Sequence, residues 1–432
     1  MQWNQWDGWT AQDIEDRLPT LAQLPDADLF LTRGSWAGEG WNYLGLGPVR
    51  EVCCDGPLGR DELREFVFQD PSPTLGFVGY SAGYRGLGTL VSPRMSGFPT
   101  AVFRKHRTLL RWRRDTGVVE GWGDASMSTE AAGGGGTVLT PGEASRHTPE
   151  MRASMTGPEY TDAVREVLRG IRRGEYYQLN LAIEFQTSLP AHQVPALFVE
   201  LARHRPAPFY ALMKVPPFQV LSTSPELFLR VRDGHVLSKP IKGTAEIRDD
   251  ADPALRRLME SPKEAAELSM IVDLVRNDIS SHCIPGSVQV RHHRSVFRVD
   301  RLWQACSEVH GRMNPESDVL DLLLDAFPGG SVTGCPKQAA MDAIRRFESF
   351  DRNLYCGTLF VIHDRTNMDT SIAIRTAVHD ARRDEFRFYA GSGIVVDSDP
   401  DSEYQETLAK AAKFLESLRP AQKPFALPSQ MQ

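Results

Sequence analysis

The segment Lys239-Pro240-Ile241-Lys242-Gly243-Thr244 sets a lysine beside glycine and threonine, just past an alternating run through Val231, Val236 and Leu237 that reads as a hairpin. A lysine attacks carbon only as the free amine, which takes burial or neighbouring cations. Taken alone, Lys242 reads more simply as a surface lysine closing that hairpin. Glu226 lies sixteen residues earlier, and alone it reads as a strand-end partner of Arg230 or Arg232. Two further pairs, Glu264 with Glu267 and Glu403 with Glu406, are each spaced three apart in stretches that read as helix. Each pair therefore shares a face. Four carboxylates converging on one point would repel one another without a cation between them, and an oxygen-only set suits Mg2+. Both pairs also have plainer readings. Ser261-Pro262-Lys263-Glu264 has the pattern of a capping box. Glu406 and Lys410 at i, i+4 make an ion pair worth roughly 0.3–0.5 kcal/mol on an exposed helix.

The elements that must position these groups follow from periodicity. Thr161 to Arg173 is predicted as a helix with Val164, Val167, Leu168 and Ile171 on one face. Tyr176 to Gln186 is predicted as a strand, and Gln219 to Val231 as a pair of strands. Ser261 to Asn277 is predicted as a helix with Pro262 in its first turn and Leu268, Ile271, Val272 and Val275 as its apolar stripe. Lys337 to Phe347 and Pro400 to Leu418 are further helices; Ile372 to Val378 and Phe386 to Tyr389 are strands. Val102 to Arg104 and Leu109 to Trp112 read as paired strands. Runs of strands followed by runs of helices point to an α+β fold with large antiparallel sheets and flanking helices.

A flexible connector is expected from about Ser126 to Thr148, where four consecutive glycines, Gly133 to Gly136, stand among Ala, Ser, Thr and Pro. It separates residues 1–148 from the motif-rich stretch 149–420, with a tail over 421–432. The boundary need not divide independent domains.

Composition narrows the classes. With 432 residues, 41% of them hydrophobic, and a net charge of −7, the chain has the balance of an ordinary globular protein and no general attraction for nucleic acid. The basic runs Arg104 to Arg107 and Arg111 to Arg114 read as solvated strand faces. Six cysteines show no metal-ligand spacing. No apolar run is long enough to span a membrane, and the N-terminus has no secretory pattern, so a reducing cytoplasm is expected.

Six segments acquire meaning together: SPELF at 224–228, PIKGT at 240–244, MIVDLVRND at 270–278, PGGSVTGCPK at 328–337, NMDTSIAIRT at 367–376 and AGSGIVVDSDPDSEYQET at 390–407. The chain resembles the chorismate-utilising enzymes, densely from about Gly157 to about Leu418. The lysine inside PIKGT resembles their aminodeoxychorismate synthase branch, since anthranilate synthases carry a small residue there. The resemblance implies an intertwined chorismate-binding, anthranilate synthase-like fold and a set of roles. Lys242 would add to the chorismate ring, and Glu226 would protonate the hydroxyl that leaves ring carbon 4, because hydroxide is a poor leaving group. Glu267 and Glu406 would be the inner Mg2+ ligands, with Glu264 and Glu403 acting through water. Arg375, Tyr389, the backbone of Gly391, Ser392 and Gly393, and Lys410 resemble the set that holds the enolpyruvyl carboxylate. Thr244 is carried over as a substrate-binding residue.

The implied product is 4-amino-4-deoxychorismate, a precursor of p-aminobenzoate and folate. Ammonia would come from a separate glutamine amidotransferase subunit, since no glutaminase nucleophile elbow is recognisable. The alternatives are anthranilate synthase component I and a non-catalytic regulatory relative. Gln178 in YYQLNLA stands where isochorismate and salicylate synthases carry a water-activating lysine, which favours ammonia as the nucleophile. PGGSVTGCPK lacks the Gly-Lys-Ser/Thr of a phosphate loop. Two departures stand out. Gln304 in WQACS takes the place of a histidine, and FLTRGS at 30–35 lacks the LLES motif that marks tryptophan feedback sites.

Overall fold

The computed structural model describes residues 3–6, 8–33, 40–56, 59–84, 97–123, 150–205, 207–247, 253–299 and 302–418. The predicted connector at 126–148 and the tail at 421–432 lie outside the described residues.

Two antiparallel sheets share a corner. The strand Ala101–Trp112 pairs along its length with Asn42–Cys54, through its first half with Thr74–Val78 and through its second half with Val119–Gly123. From this corner one sheet runs through Ala27–Thr32, Phe209–Val215, Phe218–Ser224, Thr376–Asp380 and Glu385–Ile394 to Gln178–Ser188. The other runs from Thr74–Val78 through Thr358–Asp364, Asn367–Ile372, Leu227–Arg232 and His235–Lys239 to Leu302–Arg312. That last strand also pairs with Gln289–Val299 and Ile241–Glu246. Both sheets thus join strands from before and after the predicted connector.

The period-two alternation of strands sorts their side chains into three layers. Phe30, Met213, Val220 and Val378 meet Phe77, Leu359 and Val361 between the sheets. Their neighbours Leu29, Leu212, Leu221 and Ala377 face an outer layer formed by the helices Ala11–Gln23, Gly157–Arg172, Val194–His204 and Pro400–Ser417. Val78, Phe360 and Ile362 face the opposite outer layer, built on Arg60–Phe68, Pro262–Ser280 and Val319–Ala326. The corner strand serves both: Ala101 and Phe103 join the second outer layer, Leu110 and Trp112 the first.

The helices begin where their caps dictate. Thr156 and Glu159 form a reciprocal capping box on Gly157–Arg172, whose Val164, Val167, Leu168 and Ile171 are buried as expected. Ser261 caps Pro262–Ser280 by accepting from the Glu264 N–H.

Several expectations are corrected. Val102–Arg104 and Leu109–Trp112 belong to one strand, not two. Three residues of the first basic run, Arg104, Lys105 and His106, are buried rather than solvated. Arg104 and His106 share the buried carboxylate of Asp28 at 2.7 and 3.0 Å. Lys105 is fully buried and donates to the carbonyls of Val67, Asp70 and Ser72, closing the end of Arg60–Phe68. Burial pushes its ammonium down to about 8. Gln219–Val231 supplies one strand to each sheet rather than two partners, and Ile372–Val378 breaks in the same way at Arg375. A continuous apolar run looks the same whether it stays in one sheet or crosses to the next.

Candidate active site

The two crossings between sheets run side by side. The Ile372 N–H donates to the Glu226 carbonyl at 3.1 Å, the Thr223 N–H to the Arg375 carbonyl at 3.0 Å, and the Ser224 hydroxyl to the Ile372 carbonyl at 2.6 Å. Glu226 and Arg375 therefore sit at the seam of the sandwich. Arg375 adopts a left-handed φ of 49°, which lets the chain turn there.

Glu226 is buried and does not pair with Arg230 or Arg232, both of which hold Asp369. Its carboxylate accepts a 2.8 Å hydrogen bond from Ser331 in the PGGSVTGCPK turn. Burial pushes the carboxyl up to about 7, against the pull of the Ser331 hydroxyl, the Lys242 ammonium, the Ile241 N–H and the Lys410 ammonium. A carboxyl balanced there is both acid and base near neutrality.

Lys242 is half-buried on Ile241–Glu246. Its Nζ lies 3.0 Å from where a β-carbon on Gly393 would stand, and the Gln178 Nε2 lies 3.1 Å from the same point. These residues come from three strands that are distant along the chain. The glycine after Lys242 is required: Gly243 has φ +85°, and a β-carbon there would meet Leu258 at 2.7 Å and the Glu264 carboxylate at 2.8 Å. Glu264 thus flanks the nucleophile candidate while its own N–H serves the Ser261 cap. Gln178 is 1% exposed, and neither polar atom of its side chain has a hydrogen-bond partner. Thr244 faces Gln304 across the strand pair, and the Gln304 Oε1 is likewise buried without a partner.

On the opposite wall, Lys410 donates to the Gly391 carbonyl at 3.1 Å and pairs with Glu406 at 2.7 Å. Glu403, on the same helix, is buried and accepts from Ser398 at 2.6 Å. The Ser392 and Tyr389 side chains of the neighbouring strand Glu385–Ile394 turn inward. The Ser392 hydroxyl turns to the far side of its strand, where it meets Tyr160 at 2.9 Å. Tyr389 is buried with its hydroxyl accepting from Asn353 at 2.9 Å, stacked on Tyr355. From this strand the backbone of Gly391 to Gly393 meets the site, while the Ser392 and Tyr389 hydroxyls serve the interior.

The donor chemistry fits Mg2+, since all four predicted ligands offer carboxylate oxygens. Glu264 approaches from beside Gly243 and Glu406 from beside Lys410, so one member of each pair flanks the seam from its own helix. Among the described residues, no group of three or more His, Cys, Asp or Glu side chains is gathered closely enough to hold a metal.

Motif reading missed two supports. Ser331 is the hydrogen-bond donor to Glu226, and a serine inside a glycine-rich turn was its one signal. Arg352 is buried against Glu348 at 2.7 Å and donates to the carbonyls of Val332 and Asn180, joining the Ser331 turn to the strand that carries Gln178. Phe30, Leu31 and Thr32 line a separate cavity between the sheets with Tyr43, Arg230 and Asp369. No helix among the described residues is long and apolar enough to cross a membrane.

A sandwich whose seam gathers a lysine and a buried carboxyl, flanked by Glu264 and Glu406, defines a class. Residues 58–416 match the family model described as chorismate binding enzyme, and the chain belongs to that family. It is 38% identical to aminodeoxychorismate synthase component 1 of Salmonella typhimurium over 276 residues, covering 63% of this chain and 60% of that protein. It is 34% identical to anthranilate synthase component 1 3 of Haloarcula marismortui over 326 residues, 74% of this chain and 60% of that one. The chain thus spans about three fifths of the length of these relatives. Its fold matches the crystal structure of anthranilate synthase component I from Streptococcus pneumoniae with a TM-score of 0.74 at 24% identity, over 88% of this chain and 92% of that one.

Proposed function

We propose that this chain aminates chorismate at ring carbon 4, giving 4-amino-4-deoxychorismate for p-aminobenzoate and folate synthesis. The observation that carries this reading is the meeting of Lys242 with Gly393 and Gln178, with the buried Glu226 electrostatically coupled to the same lysine. The similarity to aminodeoxychorismate synthase component 1 supports it.

In the first half-reaction the Lys242 amine forms a bond to ring carbon 2, both conjugated ring double bonds shift by one position, and the bond from carbon 4 to its hydroxyl breaks. Glu226 gives the departing oxygen its proton, so water leaves instead of hydroxide. In the second half-reaction ammonia bonds to carbon 4, both double bonds shift back, and the lysine nitrogen departs from carbon 2. The proton shed by the incoming ammonia restores Glu226. Gln178 offers no base for activating water. Arg375, Lys410 and the Gly391–Gly393 backbone hold the enolpyruvyl carboxylate, and Thr244 is a substrate-binding residue by the resemblance of its motif. Mg2+ bound by Glu267 and Glu406, with Glu264 and Glu403 through water, would neutralise the ring carboxylate. Ammonia comes from a glutamine amidotransferase subunit, a reading supported by the words "component 1" in the relatives' names. A cytoplasmic location fits this chemistry.

Mass spectrometry of the protein incubated with chorismate and Mg2+ but no ammonia tests the proposal. An adduct on the peptide containing Lys242 is expected. Turnover retained in Lys242→Ala, with no adduct in the unaltered protein, overturns it.

A further inference from the structure

We infer that the ion pair between Asp278 and Lys337 is a positioning device for Glu226: it ties the turn carrying Ser331 to the helix carrying Glu264 and Glu267, and through Ser331 it holds the acid in place. The inference rests on the proposed role of Glu226.

The catalytic reading uses neither residue: Asp278 closes MIVDLVRND and Lys337 closes PGGSVTGCPK. Lys337 opens the helix Lys337–Phe347, and its Nζ donates to the Asp278 carboxylate at 2.9 Å and to the Ala326 carbonyl at 3.0 Å. A cation in the first turn opposes the helix dipole. The aspartate is unfavourably placed too, since burial pushes its carboxyl up to about 6 against the pull of Lys337. An arrangement that costs stability at both partners is poor scaffolding by itself.

Its position supplies the reason. One turn before Asp278 on the same helix, Leu274 packs directly on Gly330, where a β-carbon would come within 2.1 Å of the leucine. The next residue is Ser331, whose hydroxyl bonds Glu226. Arg352 holds the other side of the turn through the Val332 carbonyl. The turn is thus gripped from two sides, and its fit between them decides where the serine stands. The groups facing Glu226 are Lys242, Lys410, Ser331, the Ile241 N–H and the Cys356 thiol; those facing Asp278 are Lys337 and the Cys335 thiol.

The test compares Asp278→Asn, Lys337→Gln, Lys337→Arg, Ser331→Ala and the double variant Asp278→Asn/Ser331→Ala. Total chorismate consumption is followed from acid to alkaline pH, alongside thermal melting. The Glu226 carboxyl is titrated in the ligand-free protein by infrared difference against Glu226→Gln. Losing the serine bond removes a pull toward the charged form. The Glu226 midpoint in Asp278→Asn, Lys337→Gln and Ser331→Ala should therefore rise by about half to one pH unit. In Asp278→Asn, kcat should fall about tenfold with KM little changed, while Lys337→Arg keeps the original midpoint. The double variant should be no worse than Ser331→Ala alone. A midpoint that stays put in Asp278→Asn and Lys337→Gln, or fully additive effects in the double variant, overturns the inference. The infrared titration needs no turnover, so an absence of chorismate consumption would count against the proposed function alone.

Discussion

Lys242 and Gly393 face each other across the seam of the sandwich, the lysine Nζ standing 3.0 Å from the place a β-carbon on Gly393 would occupy. One sheet contributes the nucleophile candidate and the other contributes the space it occupies. The strand Glu385–Ile394 can give that space only where a residue has no side chain, which explains why a glycine stands opposite the lysine.

A methyl group placed there should therefore act on chemistry more than on folding. Gly393→Ala crowds Lys242 and Gln178, both of which can yield by a few tenths of an ångström. The melting temperature should move little, while turnover falls about tenfold or more, because small misplacements of a reacting group are costly. Unchanged kcat in Gly393→Ala would mean that the lysine works from elsewhere.

Glu226 should set the pH dependence. The acid form is the one that protonates the leaving oxygen, so activity should decline as pH rises through about 7. Glu226→Gln should lose turnover at least a hundredfold and leave no residual limb at that pH. Stability carries the same signature. The folded value lies above the ordinary value of 4.5, so the folded chain holds this proton more firmly than the unfolded chain. The group's contribution is complete below about 4.5 and is lost as pH rises to about 7. Glu226→Gln should thus gain on the unaltered protein across that window, by up to about 3 kcal/mol. Denaturant melts at pH 5 and pH 8 with equal differences between the two proteins would contradict the buried acid.

Gln178 is placed at a cost. Burying an amide with neither polar atom paired is worth roughly 1–3 kcal/mol of lost stability. Gln178→Leu should raise the unfolding free energy by about 1 kcal/mol while lowering turnover. A less stable, fully active variant would show that the amide has a structural partner and no part in the reaction.

Much of this was legible in the sequence, because local signals and chemistry coincided. Ser261 and Pro262 marked the start of one helix, and the spacing of Val164, Val167, Leu168 and Ile171 marked the buried face of another. What periodicity could not convey was which sheet a strand joins. Phe218–Ser224 and Leu227–Arg232 are separated by only two residues yet lie in different sheets, and Glu226 owes its burial to that crossing. The basic run at Arg104 misled for a related reason. Its charges are neutralised by Asp28 and by carbonyl groups that are distant in the chain. Ser392 is expected to act through its backbone, and its hydroxyl faces Tyr160 because a strand turns alternate side chains to opposite faces.

The metal proposal makes a coupled prediction. Glu267→Gln and Glu406→Gln should each weaken Mg2+ and chorismate binding together, by about tenfold or more, because the cation would join protein and substrate carboxylates. Calorimetric titration with and without EDTA reads this directly. Chorismate affinity indifferent to EDTA and to both substitutions would remove the metal from the site.

The central claim is that Lys242 directs ammonia to carbon 4, and product identity tests it most directly. The protein is mixed with chorismate, Mg2+ and ammonium, and the products are separated with and without a lyase that converts aminodeoxychorismate to p-aminobenzoate. A non-fluorescent product that yields p-aminobenzoate only after the lyase is added is the expected result. Fluorescent anthranilate as the main product, formed without any lyase, would contradict the claim and place the amine at carbon 2.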